Sequence, residues 1–441
     1  MDDGSTQRSI ARDAVRTDTP SSSIDAALRR PGDAVVRSGD AVVRNEFFVR
    51  HSYDVHFTRG LFEPANALLA TCVGRAEPER RHKLFAVVDG GVASARPRLP
   101  GEIEAYCQCR ARQLELAGPP LIVPGGEACK NEPAALQSIL DALHQHRIDR
   151  HSFVLAIGGG AVLDLAGYAA ATVHRGLRLI RVPTTVLAQN DAGVGVKNGI
   201  NAFGNKNYLG TFAPPWAVLD DADFLDTLDP RDRIAGIAEA VKVALIRDAA
   251  FFGWLEDSAA ALAAGEPAAM ATMIRRCAEL HIHHIATGGD PFELGSARPL
   301  DYGHWSAHRL ETMTAHALRH GEAVAIGVAL DTRYAVAVGL LDETSFERVY
   351  ALLQRIGFRL WHDSLDARDA RGRLSLLRGI DDFREHLGGD LTIGLLTAIG
   401  TAVDVQTLDE SMIAGAVAWL RERDGRTCGQ GGSQSCGQPC G

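Results

Sequence analysis

The sequence predicts an α/β domain with a mostly parallel sheet, followed by a mainly α-helical domain. Three observations carry this expectation. Short, continuous apolar runs alternate with helix-period segments between residues 84 and 183. After Trp216-Ala217-Val218-Leu219-Asp220 the pattern turns helical almost to the C-terminus. With 441 residues and 46% hydrophobic content, the chain has enough apolar surface for two cores.

Residues 1–44 mix Asp, Arg, Ser and Thr without periodicity and are expected to form a disordered tail. Within it Gly32-Asp33-Ala34-Val35-Val36-Arg37 recurs as Gly39-Asp40-Ala41-Val42-Val43-Arg44, read as a local duplication in a linker. The α/β domain is placed at 45–220. Its strands are expected at 84–90, 121–124, 153–157 and 179–183, and its helices at 132–146 and 162–172. The helical domain is placed at 221–424, with helices at 232–247, 258–264, 268–284, 304–312, 322–338, 345–355 and 409–423. Residues 425–441, rich in Gly, Ser and Gln, are expected to remain a disordered tail carrying Cys428, Cys436 and Cys440. The five other cysteines are expected to be free thiols.

The net charge is −9, which argues against binding nucleic acid by bulk electrostatics. No apolar run is long enough for a membrane span, and the N-terminus lacks a signal-peptide layout. A cytoplasmic location is the expectation.

Seven of the sixteen histidines fall between His281 and His320. His304 and His308, spaced i, i+4, share one helical face, and His320 precedes an apolar helical run. Such imidazoles, with an added carboxylate, suit zinc with an open coordination position; a helix that is simply rich in His is the plainer alternative. Gly158-Gly159-Gly160 lies between a strand and a helix, where small residues let a pyrophosphate approach backbone N–H groups. Without the full dinucleotide fingerprint, a tight strand–helix turn explains it equally well. Asp89, Glu127 and Lys130 could serve a nucleotide or be ordinary surface charges.

Several separated segments together resemble one family. They are Gly125-Gly126-Glu127-x-x-Lys130, Gly158-Gly159-Gly160-x-x-x-Asp164-x-x-Gly167, Pro183-Thr184-Thr185, Asp191-x5-Lys197 and Lys206-Asn207. Ala238-Glu239-x-x-Lys242, Gly303-His304-x-x-x-His308 and His320-Gly321-Glu322 complete the set. In this order and spacing the chain resembles the sugar-phosphate cyclases, the 3-dehydroquinate synthase-like enzymes, over roughly residues 80–400. The resemblance implies a Rossmann-like NAD domain, a helical metal domain, a site between them and a homodimer. It implies metal ligation, of Zn2+ or Co2+, by Glu239, His304 and His320, which makes His308 a substrate contact instead of a ligand. Asp89, Glu127, Lys130, Gly158, Gly159, Gly160, Asp164, Thr184, Thr185 and Lys206 would hold NAD. Asp191, Lys197, Lys242, Glu293 and His308 would be catalytic. Lys197, Asn207 and His308 would contact phosphate or sugar oxygens, and Arg175 would reach the partner subunit's site. The implied enzyme is a carbon–oxygen lyase acting on a phosphorylated sugar, through transient oxidation, phosphate β-elimination, reduction and aldol cyclisation.

The departures bear on substrate. Members that bind a substrate carboxylate carry a Lys after Glu-Leu on the helix before the histidines. They add an Arg and an Asn ahead of the Gly-His. This chain has Glu279-Leu280-His281, an Arg298 one residue closer than usual, and Asp301. Asp301 would repel a carboxylate and suits a hydroxyl donor. In place of a C-terminal phosphate Lys stands Arg384. A neutral ketose phosphate such as sedoheptulose 7-phosphate is therefore expected. The alternatives are authentic 3-dehydroquinate synthase, a metal-dependent polyol dehydrogenase and a non-catalytic binding paralogue.

Overall fold

A computed structural model of the chain describes residues 35–39, 42–47, 49–203, 205–292, 300–386, 389 and 391–430. They belong to two compact units, 1–52 and 53–441. In the first, β1 (Val35–Gly39) pairs antiparallel with β2 (Val42–Glu46), Val35 opposite Glu46. The described parts of the two hexapeptides thus pair as strands where a linker was expected: each copy supplies a Val-Val pair to one strand. Residues 1–34, the rest of the expected N-terminal tail, lie outside the described residues.

The second unit is built on a seven-stranded parallel sheet. Its strands are β3 (Asp54–Thr58), β4 (His82–Asp89), β5 (Leu114–Leu116), β6 (Leu121–Val123), β7 (Phe153–Gly158), β8 (Arg178–Pro183) and the later Ala217–Asp221 strand. Across the sheet the order runs β3, Ala217–Asp221, β8, β7, β4, β5, with β6 also on β4. The central strands are apolar on both faces because helices cover both. Leu84, Ala86 and Val88 pack with Leu99, Ile103 and Tyr106, while Phe85 and Val87 pack with Ile139, Leu143 and Val162. Each such side chain contributes roughly 2 kcal/mol of burial. On the first face lie α1 (Leu68–Gly74), α2 (Gly90–Ala95) and α3 (Leu99–Cys109); on the second lie α4 (Pro133–Gln145) and α5 (Gly160–Thr172).

The basic loop between the sheet strands is an antiparallel hairpin, β9 (Lys197–Ala202) and β10 (Asn205–Phe212). The Ala217–Asp221 strand, β11, follows it. Next come α6 (Pro230–Ala235), α7 (Ile237–Arg247), α8 (Ala249–Ala264), α9 (Pro267–Thr287), α10 (His304–Met313), α11 (His320–Ala337), α12 (Glu343–Ile356) and α13 (Arg378–His386). A hairpin, β12 (Ile393–Ala398) and β13 (Thr401–Val405), precedes α14 (Glu410–Gln430). The expected 232–247 helix is broken at Gly236, whose carbonyl accepts a hydrogen bond from Asn190 Nδ2 (2.9 Å). The expected 258–264 helix starts earlier, capped by Asp248, which accepts from Phe251 N (3.0 Å). The last helix runs to Gln430, past the expected boundary at 424. Cys436 and Cys440 lie outside the described residues. Among the described residues no helix is long and apolar enough to cross a membrane.

Candidate active site

Strands β4, β7 and β8 deliver a cradle at their C-terminal ends, where parallel sheets bind ligands. Asp89 closes β4 and caps α2 by accepting from Gly91 N (2.7 Å). A Cβ on Gly125 would lie 2.3 Å from Asp89 Oδ1, so only glycine lets this loop close over the aspartate. Gly158 ends β7, and α5 starts at Gly160 with no side-chain cap, which leaves its first N–H groups available. Thr184 N donates to Gly158 O (3.0 Å), and the Thr184 hydroxyl is buried without a partner. Thr185 Oγ1 accepts from Ala188 N (3.1 Å), where a π-turn, Ala188–Ala192, begins. Small residues, open N–H groups and an orphaned hydroxyl fit a pyrophosphate-bearing dinucleotide. Beside them Lys130 Nζ meets Asp164 (2.8 Å), Glu127 (3.8 Å) and the Asn207 side chain.

The histidine cluster is assembled by α7, α10 and α11. Gly303 precedes α10 in the left-handed region (φ 77°), and its absent Cβ leaves room for the Val328 backbone N, 2.7 Å from where it would sit. This close crossing brings His304 towards His320. Glu239 is fully buried, and neither carboxylate oxygen has a directional hydrogen bond. Its Oε1 lies 3.5 Å from His304 Nε2 and 3.3 Å from His320 Nε2. His304 Nδ1 is 3.1 Å from Tyr302 O, and His320 Nδ1 is 3.1 Å from Glu311 Oε2. Both rings thereby hold a proton on Nδ1 and turn Nε2 towards Glu239. Two converging Nε2 atoms and a buried carboxylate oxygen facing both of them fit a divalent metal with an open position. His308, Glu311 and His320 also lie close enough to form a ligand set. That set fits less well, because Glu311 is already engaged by Lys206 Nζ (3.2 Å) as well as by His320. Lys242, one turn from Glu239, pairs with its other oxygen.

Charge is concentrated here. Burial alone would raise the Glu239 carboxyl, but Lys242 and His304 hold it well below the usual carboxylate range. Burial works against the Lys242 ammonium, yet Glu239, Asp191 and Asp301 keep it charged. Burial, with Lys206 nearby, pushes His308 well below the ordinary histidine range, so its imidazole is neutral. Asp191, on the π-turn, meets His281 Nδ1 at 2.8 Å. Buried Arg181 pins the loop leading on to Lys197, donating to the carbonyls of Gly193 (3.1 Å), Gly195 (2.7 Å) and Lys197 (2.8 Å).

Two adjacent residues of the hairpin make contacts on opposite sides of the site. Lys206, expected at the nucleotide, bonds Glu311 beside the histidines; Asn207, expected at the substrate, bonds Lys130 beside Asp164. Neighbours on a strand point to opposite faces, and the register shift after Asn205 together with the left-handed Asn207 (φ 55°) sharpens the divergence. Arg384 is not brought to the cluster: it lies exposed on α13 and bonds Asp381 (3.4 Å). Arg175 is exposed on the turn after α5. Glu293 and Arg298 lie outside the described residues. Sequence reasoning missed Glu311 and Arg181. Glu311 carries a spacing signal, since it stands seven residues after His304 and three after His308, on the same face of α10; Arg181 carries none.

Comparison with known proteins matches this architecture. The family model described as 3-dehydroquinate synthase N-terminal covers residues 120–235, and that described as 3-dehydroquinate synthase C-terminal covers 236–376. The 3-dehydroquinate synthase of Jannaschia sp. (strain CCS1) is 37% identical over 356 residues, 80% of this chain and 91% of that protein. ValA, a 2-epi-5-epi-valiolone synthase from Streptomyces hygroscopicus subsp. jinggangensis 5008 solved with NAD+ and Zn2+ bound, superposes with a TM-score of 0.75 at 30% identity. That match covers 86% of this chain and 99% of ValA. A 2-deoxy-scyllo-inosose synthase complexed with carbaglucose-6-phosphate, NAD+ and Co2+ shares the fold (TM-score 0.64, 21% identity, 88% of this chain and 100% of that one). Fold and site define a sugar-phosphate cyclase. The chain belongs to the 3-dehydroquinate synthase family.

Proposed function

We propose that this chain cyclises a neutral ketose phosphate, with sedoheptulose 7-phosphate as the reference substrate. The route is transient oxidation, loss of phosphate, return of the hydride and intramolecular aldol closure. One observation carries the substrate reading. The field around the Lys242 ammonium comes from three carboxylates, Glu239, Asp191 and Asp301, and Asp191 is itself engaged by His281. Glu239 and Asp191 belong to the family pattern; Asp301 is the added negative charge, which repels a substrate carboxylate and accepts hydroxyl donors.

NAD, on the cradle of residues 45–220, would supply the hydride acceptor and donor, and Zn2+ or Co2+, on Glu239, His304 and His320 of residues 221–424, would supply a Lewis acid that acidifies a bound hydroxyl. Lys242 and Asp191 orient the sugar hydroxyls next to it. Neutral His308 can accept a proton from a hydroxyl or donate a hydrogen bond to phosphate. Lys197 gives positive charge for phosphate, and Arg175 adds to the partner subunit's pocket in a homodimer. The protein's work is positioning and charge, while the departing phosphate serves as its own base.

The second reading, authentic 3-dehydroquinate synthase, draws on the 37% identity to the Jannaschia enzyme. Phosphate release with metal and NAD, from sedoheptulose 7-phosphate and from 3-deoxy-arabino-heptulosonate 7-phosphate in parallel, separates the two. The expected result is release from the former with no net NADH. Release from the latter alone would establish the second reading. Accumulating NADH without phosphate would mean a polyol dehydrogenase, and no turnover with metal bound would mean a binding paralogue.

A further inference from the structure

The cavity of about 350 Å³ between β3, β11, α6 and α9 is not part of the cluster described above. Its polar lining is unusual. Asp220 sits on β11 beside Phe57 of β3 in parallel register, and shares a face with Val218, which packs against Val194 and Ala278. Its strand neighbours Phe57 and Val218 are apolar, yet position 220 is an acid. It is 2% exposed, and neither carboxyl oxygen has a hydrogen-bond partner. Burial pushes its carboxyl well above the usual range. A buried polar group without a partner is costly to fold, and such groups recur where a ligand completes them.

A complementary group lines the same cavity. Arg233 of α6 has no carboxylate within ion-pairing distance among the described residues; its Nη2 reaches only Leu228 O, at 3.4 Å. The two other arginines there are engaged, Arg59 by Asp223 (2.7 Å) and Arg275 by Glu279 (3.1 Å). Asp220 and Arg233 are not paired with each other. The cavity thus offers one unpartnered acceptor and one cationic donor that lacks a carboxylate partner, between apolar walls that include Phe57, Met270 and Ile274.

We propose that this cavity is a second ligand site for a small apolar zwitterion of the amino-acid class, its ammonium on Asp220 and its carboxylate on Arg233. The volume suits a molecule of that size. The site backs onto the reaction pocket. Gln189 lines the cavity on the π-turn two residues before Asp191, and Ile274 lies two turns of α9 before His281, the partner of Asp191. Occupancy therefore presses on the Asp191–His281 pair from two elements, which makes the site regulatory.

The test uses the full chain with metal and NAD. Calorimetric titration with leucine and phenylalanine is set against isoamylamine and isovalerate, which each carry one of the two charges. Saturable binding by an amino acid is expected, weakened about tenfold or more in the single-headed probes and in Asp220→Asn and Arg233→Gln. The ligand should also shift KM for the sugar phosphate in the wild type and not in either variant. Arg233→Gln carries the test if Asp220→Asn does not fold. No binding by either amino acid, equal binding by the amine alone, binding unchanged in the variants, or binding without a change in KM would each overturn the proposal.

Discussion

Glu311 shows how much of a site rests on one unassigned side chain. It accepts from His320 Nδ1 on one side and pairs with Lys206 on the other, so it sets the tautomer of one expected ligand while anchoring the β9–β10 hairpin. Burial would raise its carboxyl, but His320 and Lys206 hold it far below the usual range, so it is ionised throughout the working pH range. Glu311→Gln should weaken metal binding about 10- to 100-fold. Competition with a chromophoric chelator measures the affinity, and the Co2+ absorption spectrum reads the altered imidazole. Unchanged affinity and spectrum would show that Glu311 serves the hairpin alone. At this scale the sequence was partly legible. Single imidazoles and carboxylates do not announce roles, and the division of work between His304, His308 and His320 came only through the family resemblance. Glu311 stayed hidden because one partner lies nine residues on and the other 105 residues back.

At the scale of elements, the crossing of α10 and α11 is held by Asp331. Its two oxygens accept from Gly303 N (3.0 Å) and Trp305 Nε1 (2.9 Å), on either side of His304. Burial raises this carboxyl from 3.8 to about 7, against the pull of those two donors. Between these values the folded chain keeps a proton that the unfolded chain has released. Its contribution to stability therefore falls as pH rises from about 4 to about 7 and levels off above. Asp331→Asn should flatten that slope in Tm against pH. It should also cost about 1–3 kcal/mol at pH 5, because the amide sets an NH2 group against one of the two N–H donors, where a carboxyl oxygen, even protonated, still accepts. A parallel slope in wild type and variant would contradict this assignment. The strands β4, β7 and β8 were legible because strands buried on both faces read as continuous apolar runs. The β9–β10 hairpin was not, since its exposed, polar, Gly-containing strands resemble a loop; the opposite neighbours of Lys206 and Asn207 were hidden with it. The early turns of α8 were missed because Ala249, Ala250, Phe251 and Phe252 form an apolar run without helical periodicity.

At the scale of the whole molecule, the proposed homodimer makes a distinctive demand. If Arg175 serves the partner's site, Arg175→Ala and Glu239→Ala chains should each be nearly inactive alone. Mixed and reassembled dimers should recover about a quarter of wild-type activity, because half are hybrids and each hybrid has one complete site. No recovery in verified hybrids would place Arg175 in its own chain's site or in none. The order of an α/β part and a helical part was legible because it follows from a change in hydrophobic period; the expected substrate came from departures such as His281 and Asp301 within the family pattern, which period and composition do not carry.

Rejection of a substrate carboxylate within a dehydroquinate-synthase frame is decided by kcat/KM for the two heptulose phosphates on one metal- and NAD-loaded preparation. A preference for sedoheptulose 7-phosphate over 3-deoxy-arabino-heptulosonate 7-phosphate of about a hundredfold or more is expected, since a substrate charge facing Asp301 is poorly matched. A preference for the carboxylate-bearing substrate would show instead that the pocket accepts a carboxylate beside Asp301.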